Sequence, residues 1–186
     1  MLLVVDNGSV YTSSLLDCIK NLDIKFEYHV FSDVPSLDLG NYSSVILSGR
    51  RKNNSEMNMI NSKLVRHSLD TEKPLLGICY GAEILALTLG GTIKKMTSPR
   101  HGLYKIQITK NNPLCNGEID AFESHSYMIS KLGSSFIHLA SSTDCKFEVF
   151  QYDAKNIFGT QFHPEMSVDG RSLLEKFSSI NGINNT

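Results

Sequence analysis

Across its 186 residues the chain lacks any apolar run approaching the ~20 residues that a membrane-spanning helix requires. It also lacks a charge excess: 18 Lys and Arg stand against 19 Asp and Glu, a formal net charge of −1. That balance offers no long-range field for nucleic acid or an anionic membrane, and leaves small substrates and protein partners open. The opening stretch MLLVVDNGSVY has neither a basic segment nor a small-residue cleavage site, so no secretory signal is expected. Cysteine is sparse. The four thiols, at 18, 79, 115 and 145, show no CxxC spacing, which argues against a disulfide framework and a zinc cage. A cytoplasmic location is expected. With no internal repeat, low-complexity tract or interdomain linker, residues 1–186 are expected to form one domain.

What is present is an alternation of strand and helix. LLVVD and SSVILSG read as buried strands, KFEYHVF alternates as another, and PLLGIC makes a fourth. YTSSLLDCIKNL, MNMINSKLVRHSL and AEILALTLGG carry apolar residues at helical spacing, the last closed by glycines suited to a helix C-terminus. The order predicts an α/β fold with a mostly parallel central sheet and helices on both faces. From Thr92 onward GLYKIQI, SFIHLASS, KFEVFQY and NIFGTQF are short β-rich runs, which predict antiparallel or mixed strands extending the sheet. GRSLLEKFSSI then closes the pattern as a helix, and the polar NGINNT after it is expected to fray.

Within PLLGICYGAEIL, Cys79 falls where a parallel strand meets the following helix, at the edge where such sheets bind ligands. The unpaired N–H groups of a helix N-terminus favour a thiolate there, and Gly77 and Gly81 suit a sharp turn. The alternative is a small buried hydrophobe, the usual fate of an isolated cysteine. A thiolate nucleophile needs a base with an orienting partner. Among six histidines, His163 in GTQFHPEM ends an apolar strand, and in extended chain it shares a side with Glu165. His125 in ESHSYM is the second candidate; no acid follows it at a comparable spacing.

PLLGICYGAEIL together with FGTQFHPEM resembles the class I glutamine amidotransferase family, and the likeness runs from VVDNG through ILSG to the closing helix. The resemblance implies a flavodoxin-like three-layer sandwich in which Cys79 attacks the glutamine carboxamide, His163 carries the proton and Glu165 orients His163. It implies an oxyanion hole from the backbone of Tyr80 and of the loop at Gly49 and Arg50. Glutamine's α-amino and carboxyl end would be held by the backbone of Ser126 and Tyr127, in a strand and turn, with Glu83 nearby. No metal or organic cofactor is implied. The expected partners are glutamine and a separate ammonia-using synthase. VVDNGSVY, ESHS and QFHPE most resemble the glutaminase subunit of two-subunit GMP synthetases, whose partner is an ATP-pyrophosphatase subunit. SPRHGLYKI is similar to glutaminase partners of anthranilate and aminodeoxychorismate synthases.

Two residues depart from the family pattern. The loop SGRRKNN places Arg50 where glycine is usual. If its N–H must be presented through a left-handed backbone, arginine costs about 1 kcal/mol or more, and the loop would rest inactive until a partner reshapes it. Alternatively Arg50, Arg51 and Lys52 are a solvated run of charge. Glu83 stands where most relatives carry glutamine, and could pair with the substrate's α-ammonium or disfavour its α-carboxylate. Relatives that cleave γ-glutamyl chains often have glutamate there. A free-standing γ-glutamyl hydrolase and a catalytically silent regulatory module are therefore the alternatives to a synthase-linked glutaminase.

Overall fold

The computed structural model describes residues 1–180; the terminal NGINNT expected to fray lies outside the described residues. Nine strands form one sheet: β1 Leu2–Asn7, β2 Phe26–Val30, β3 Ser44–Arg50, β4 Leu75–Ile78, β5 Thr92–Ile108, β6 Glu118–Lys131, β7 Phe136–Ser141, β8 Val149–Tyr152 and β9 Ile157–Thr160. The helices are α1 Thr12–Asn21, α2 Ser55–Asp70, α3 Tyr80–Thr88 and α4 Val168–Ser179. The strand order is β2-β1-β3-β4-β9-β8-β7-β5-β6. The first five pair in parallel, and from β9 onward each neighbour is antiparallel. The parallel half thus has the 2-1-3-4-5 arrangement of flavodoxin-like sheets, with β9 as its fifth member.

Strand periodicity sorts the apolar residues into two layers. Leu2, Val4, Ile46, Leu76 and Ile78 face one core, with Leu15 and Ile19 of α1 and Leu173 and Phe177 of α4. Their neighbours Leu3, Val5, Val45, Leu47 and Leu75 face the other, against Met57, Ile60 and Leu64 of α2 and Leu85 of α3. Each such aliphatic side chain contributes about 1.5–3 kcal/mol when fully buried.

The antiparallel half departs most from expectation. β5 and β6 form a long hairpin of 17 and 14 residues, where the sequence pattern marks only GLYKIQI as strand. Along β6 the inward positions are Ile119, Ala121, Glu123, His125 and Ile129. Two of these five are ionisable, which hides the alternation that would announce a half-buried strand.

Candidate active site

β4 delivers Cys79 to the N-terminus of α3 in a left-handed backbone conformation, φ 51° and ψ −102°. A Cβ on Gly77 would lie 2.4 Å from the Gly81 carbonyl oxygen, and one on Gly81 would lie 2.2 Å from the Leu47 carbonyl oxygen of β3. Both glycines are therefore dictated by main chain packed against main chain. They let α3 start hard against the sheet, with the Cys79 N–H donating to the Thr160 carbonyl of β9 at 2.8 Å. Cys79 is 7% exposed, at the parallel strands' C-terminal edge.

β9 brings His163 to the same edge. Its N–H donates to the Phe122 carbonyl of β6 at 2.8 Å, and its Nδ1 lies 2.8 Å from Glu165 Oε1. Pro164–Met166 form a short 3₁₀ turn that carries Glu165 back beneath the ring, and Tyr11 packs on the ring at 4.6 Å between centroids. Burial opposes a charged imidazole here. The Cys79 thiolate and the Glu165 carboxylate outweigh it, and the His163 pKa is pushed up to about 10. With Nδ1–H fixed on Glu165, the ring presents Nε2 to the cysteine. A cysteine, an imidazolium and a carboxylate stand together, the kind of arrangement from which a sulfur nucleophile and a proton donor can be made.

The family model for class-I glutamine amidotransferases matches residues 3–179. The chain belongs to that family. Among relatives of this glutamine amidotransferase, a glutamine-hydrolyzing GMP synthase subunit from Thermoplasma acidophilum is 31% identical over 183 residues, covering 95% of this chain and 90% of the relative. Its counterpart from Thermoplasma volcanium matches at the same identity and coverage. The glutamine-hydrolyzing GMP synthase of Cytophaga hutchinsonii is also 31% identical over 95% of the chain, but the chain spans only 35% of that longer protein. A crystal structure described as that of a GMP synthase subunit protein from Thermoplasma acidophilum superposes with a TM-score of 0.84 at 28% identity, over 95% of this chain and 90% of that one. A Thermotoga maritima glutamine amidotransferase shares the fold, with a TM-score of 0.73 at 20% identity over 95% and 81% of the two chains.

The amidotransferase's Tyr80 opens α3, where the first N–H groups have no intrahelical acceptor. Gly49 abuts the histidine: a Cβ there would fall 2.9 Å from His163 Cε1. Arg50 is not left-handed. Its backbone continues β3 and bridges Gly8, so the strain expected of an arginine at this position is not incurred. Nor is its side chain solvated like those of Arg51 and Lys52. Arg50 Nη2 lies 3.6 Å from Glu83 Oε2, and the guanidinium stacks over the Tyr80 ring at 4.2 Å. Nη1 donates to Asn53 Oδ1 at 2.9 Å and to Asn58 Oδ1 at 3.4 Å, and the Tyr80 hydroxyl also donates to Asn58 Oδ1, at 2.8 Å. Glu83 is 4% exposed. Burial raises its carboxyl pKa, while Arg50, His125 and Gln161 pull the other way.

Ser126 and Tyr127 lie within β6 and not in a turn. The ladder with β5 steps from Tyr127↔Lys95 to His125↔Arg100, so residues 96–99 bulge and Ser126 has no partner in that ladder. Main-chain groups left over at a bulge are available to a ligand. Sequence reasoning missed Tyr11, Asn58, Arg100 and Glu123. The last had a signal: Glu123 precedes His125 by the same two residues that separate His163 from Glu165.

Proposed function

We propose that the chain hydrolyses the side-chain amide of glutamine through a γ-glutamyl thioester on Cys79 and passes ammonia to a separate synthase subunit, in GMP synthesis. The observation that carries this reading is His163, whose Nδ1 lies 2.8 Å from Glu165 Oε1 and whose pKa is pushed up to about 10, against burial, by Cys79 and Glu165. Cys79 Sγ attacks the carboxamide carbon. The oxygen that becomes negative faces the N–H groups at Tyr80 and at Gly49 and Arg50, donors of the kind whose loss typically costs ~10²–10³ in rate. As the C–N bond breaks, His163 Nε2–H protonates the departing nitrogen and ammonia leaves. His163 then takes a proton from water, whose oxygen attacks the thioester, and glutamate departs as the Cys79 thiolate re-forms. Glu165 holds the ring's Nδ1–H throughout. The main chain of Ser126 and Tyr127 receives the amino-acid end of glutamine.

GMP synthesis is favoured over anthranilate or aminodeoxychorismate synthesis by relatives whose names specify GMP synthase, two of them naming one of its subunits. An ATP-pyrophosphatase subunit is the corresponding partner. The γ-glutamyl hydrolase alternative rests on Glu83, which Arg50 already engages. The silent-module alternative rests on backbone strain at Arg50, which is absent. The test is glutamate and ammonia release from glutamine, with and without an ATP-pyrophosphatase GMP synthetase subunit. Stimulated hydrolysis with GMP formation is expected. No glutamate formation in either condition overturns the glutaminase reading, and hydrolysis that no such subunit stimulates overturns the GMP assignment.

A further inference from the structure

This fold contains two buried histidine–carboxylate pairs of identical spacing and identical N···O distance, and the hydrolytic chemistry uses only one. The second is Glu123 and His125 on β6, with Nε2 2.8 Å from Glu123 Oε2 and Nδ1 2.8 Å from the Tyr127 carbonyl oxygen. Both side chains are buried, at 0% and 2% exposure. A carbonyl oxygen only accepts, so Nδ1 must carry a proton. The contact between Nε2 and Oε2 then needs a further proton, on one atom or the other. Arg100 Nε stands 3.2 Å from the same Oε2, so the carboxylate is approached by the ring and by the guanidinium together.

Further ionisable groups surround the pair. Arg100 also pairs with Glu148 at 3.5 Å, and Ser142 donates to Glu148 Oε1 at 2.6 Å. Burial and the nearby Glu123 charge push the Glu148 carboxyl up to about 8, with Ser142 and Arg100 opposing. Cys145, whose thiol is raised first by burial and then by both carboxylates, lies on the same side. His125 is also close enough to Glu83, which Arg50 pairs, to lower its carboxyl pKa. The ring nitrogens meet the Glu123 carboxylate and the Tyr127 carbonyl, which lies beside the unladdered Ser126.

We propose that Glu123 and His125 form a second, non-catalytic pair that positions the Ser126–Tyr127 main chain to receive the amino-acid end of glutamine. The substrate half of this rests on the glutaminase reading, and the pair itself rests on the geometry. A ring with both nitrogens hydrogen-bonded cannot rotate, so the Tyr127 carbonyl is pinned towards it and the main chain at Ser126, opposite the β5 bulge, is held in one orientation for the substrate. His125 is a positioning residue: it acts through the backbone of β6.

Two measurements test it. In protein labelled with ¹⁵N at histidine, the imidazole spectrum of the unmodified chain is expected to show a proton on His125 Nδ1, held by the Tyr127 carbonyl; a bare Nδ1 overturns the pair. In kinetics, Glu123→Gln is expected to raise the KM for glutamine about tenfold, the worth of about one hydrogen bond to a charged group, with kcat within about twofold. His125→Asn, whose amide N–H takes the place of Nδ1–H, is expected to keep KM closer to that of the parent than His125→Ala does. A purely structural role would lower Tm and leave KM alone, and a folded Glu123→Gln variant with unchanged KM overturns the proposal. If the unmodified chain hydrolyses no glutamine with any synthase, the substrate half falls with the glutaminase reading, whereas the ring spectrum judges the pair independently.

Discussion

Arg50 Nη2 lies 3.6 Å from Glu83 Oε2, so the two residues that fit the family pattern least are each other's partners. The pair ties the end of β3 to the first turn of α3, and the Tyr80 ring beneath the guanidinium makes the tie rigid. An arginine at the end of β3 and a buried glutamate one turn past Cys79 make sense jointly, since either alone would leave a charge poorly compensated.

Removing one member should therefore hurt more than removing both. Arg50→Met is expected to destabilise the fold by about 2 kcal/mol, and Arg50→Met with Glu83→Gln to regain most of it, in urea unfolding. The deficit also has a sign with pH. Burial raises the Glu83 carboxyl in the fold and Arg50 opposes that rise, so losing Arg50 raises it further. A carboxyl raised by folding lowers stability as pH rises through its folded value, so the Arg50→Met deficit should be larger at neutral than at acid pH. Additive effects of the two substitutions would show that the ion pair is energetically inert.

The His163 proton sets an alkaline limit. It is held up to about 10 by the Cys79 thiolate and by Glu165 against the effect of burial, so proton donation to the leaving ammonia should persist through neutral pH and fail as pH rises through about 10. Because Glu165 raises that value, Glu165→Gln should move the alkaline limb of kcat/KM to lower pH. A limb that stays in place would remove Glu165 from its orienting and charge-holding role.

Cys79→Ala is expected to abolish glutamine hydrolysis while shifting unfolding by no more than about 1 kcal/mol, and the synthase partner should still work with free ammonia. Replacing Cys18, Cys115 or Cys145 by serine should leave glutamine turnover within about threefold, since burial raises all three thiols away from the reactive range. Residual glutaminase activity in Cys79→Ala would reassign the nucleophile.

Glu148 offers a separate check on the buried charges behind β6. Its carboxyl is pushed up to about 8 in the fold from an ordinary 4.5, so the folded state binds its proton more tightly. The linked stability is fully present below about 4.5 and is lost as pH rises through about 8. Glu148→Gln should flatten the stability–pH curve between those values and leave the variant relatively more stable on the alkaline side, in thermal unfolding. A curve of unchanged slope would exclude Glu148 as its source.

The parallel half of the fold, the elbow at Cys79 and the His163–Glu165 pair are legible in the sequence because each rests on short-range pattern: apolar runs, helical spacing, glycines at a turn, and residues two apart on one side of a strand. That the elbow and the pair belong together, 84 positions apart, is legible only through the family resemblance. Arg50 and Glu83 are 33 positions apart and obey no local period, so each looks anomalous by itself. β6 escapes because Glu123 and His125 occupy inward positions normally held by hydrophobes. Glu123 is nonetheless within reach of sequence reasoning: an extended chain places i−2 and i+2 on the same side, so an acid before His125 is as well placed as one after it. The irregularity at Ser126 and Tyr127 that reads as a turn comes from a bulge in β5, which no motif in β6 records.

The close approach of Gly77 to Gly81, and of Gly81 to Leu47, has an evolutionary consequence. A side chain that crowds another side chain can be accommodated by trimming the neighbour, so most packing errors have second-site suppressors. Here the obstructing atoms at both glycines include main-chain carbonyls, which every amino acid possesses. No substitution elsewhere can remove them. A selection for restored glutamine use starting from Gly81→Ala should return true revertants almost alone, and the elbow around Cys79 should drift more slowly than the nucleophile's own chemistry demands.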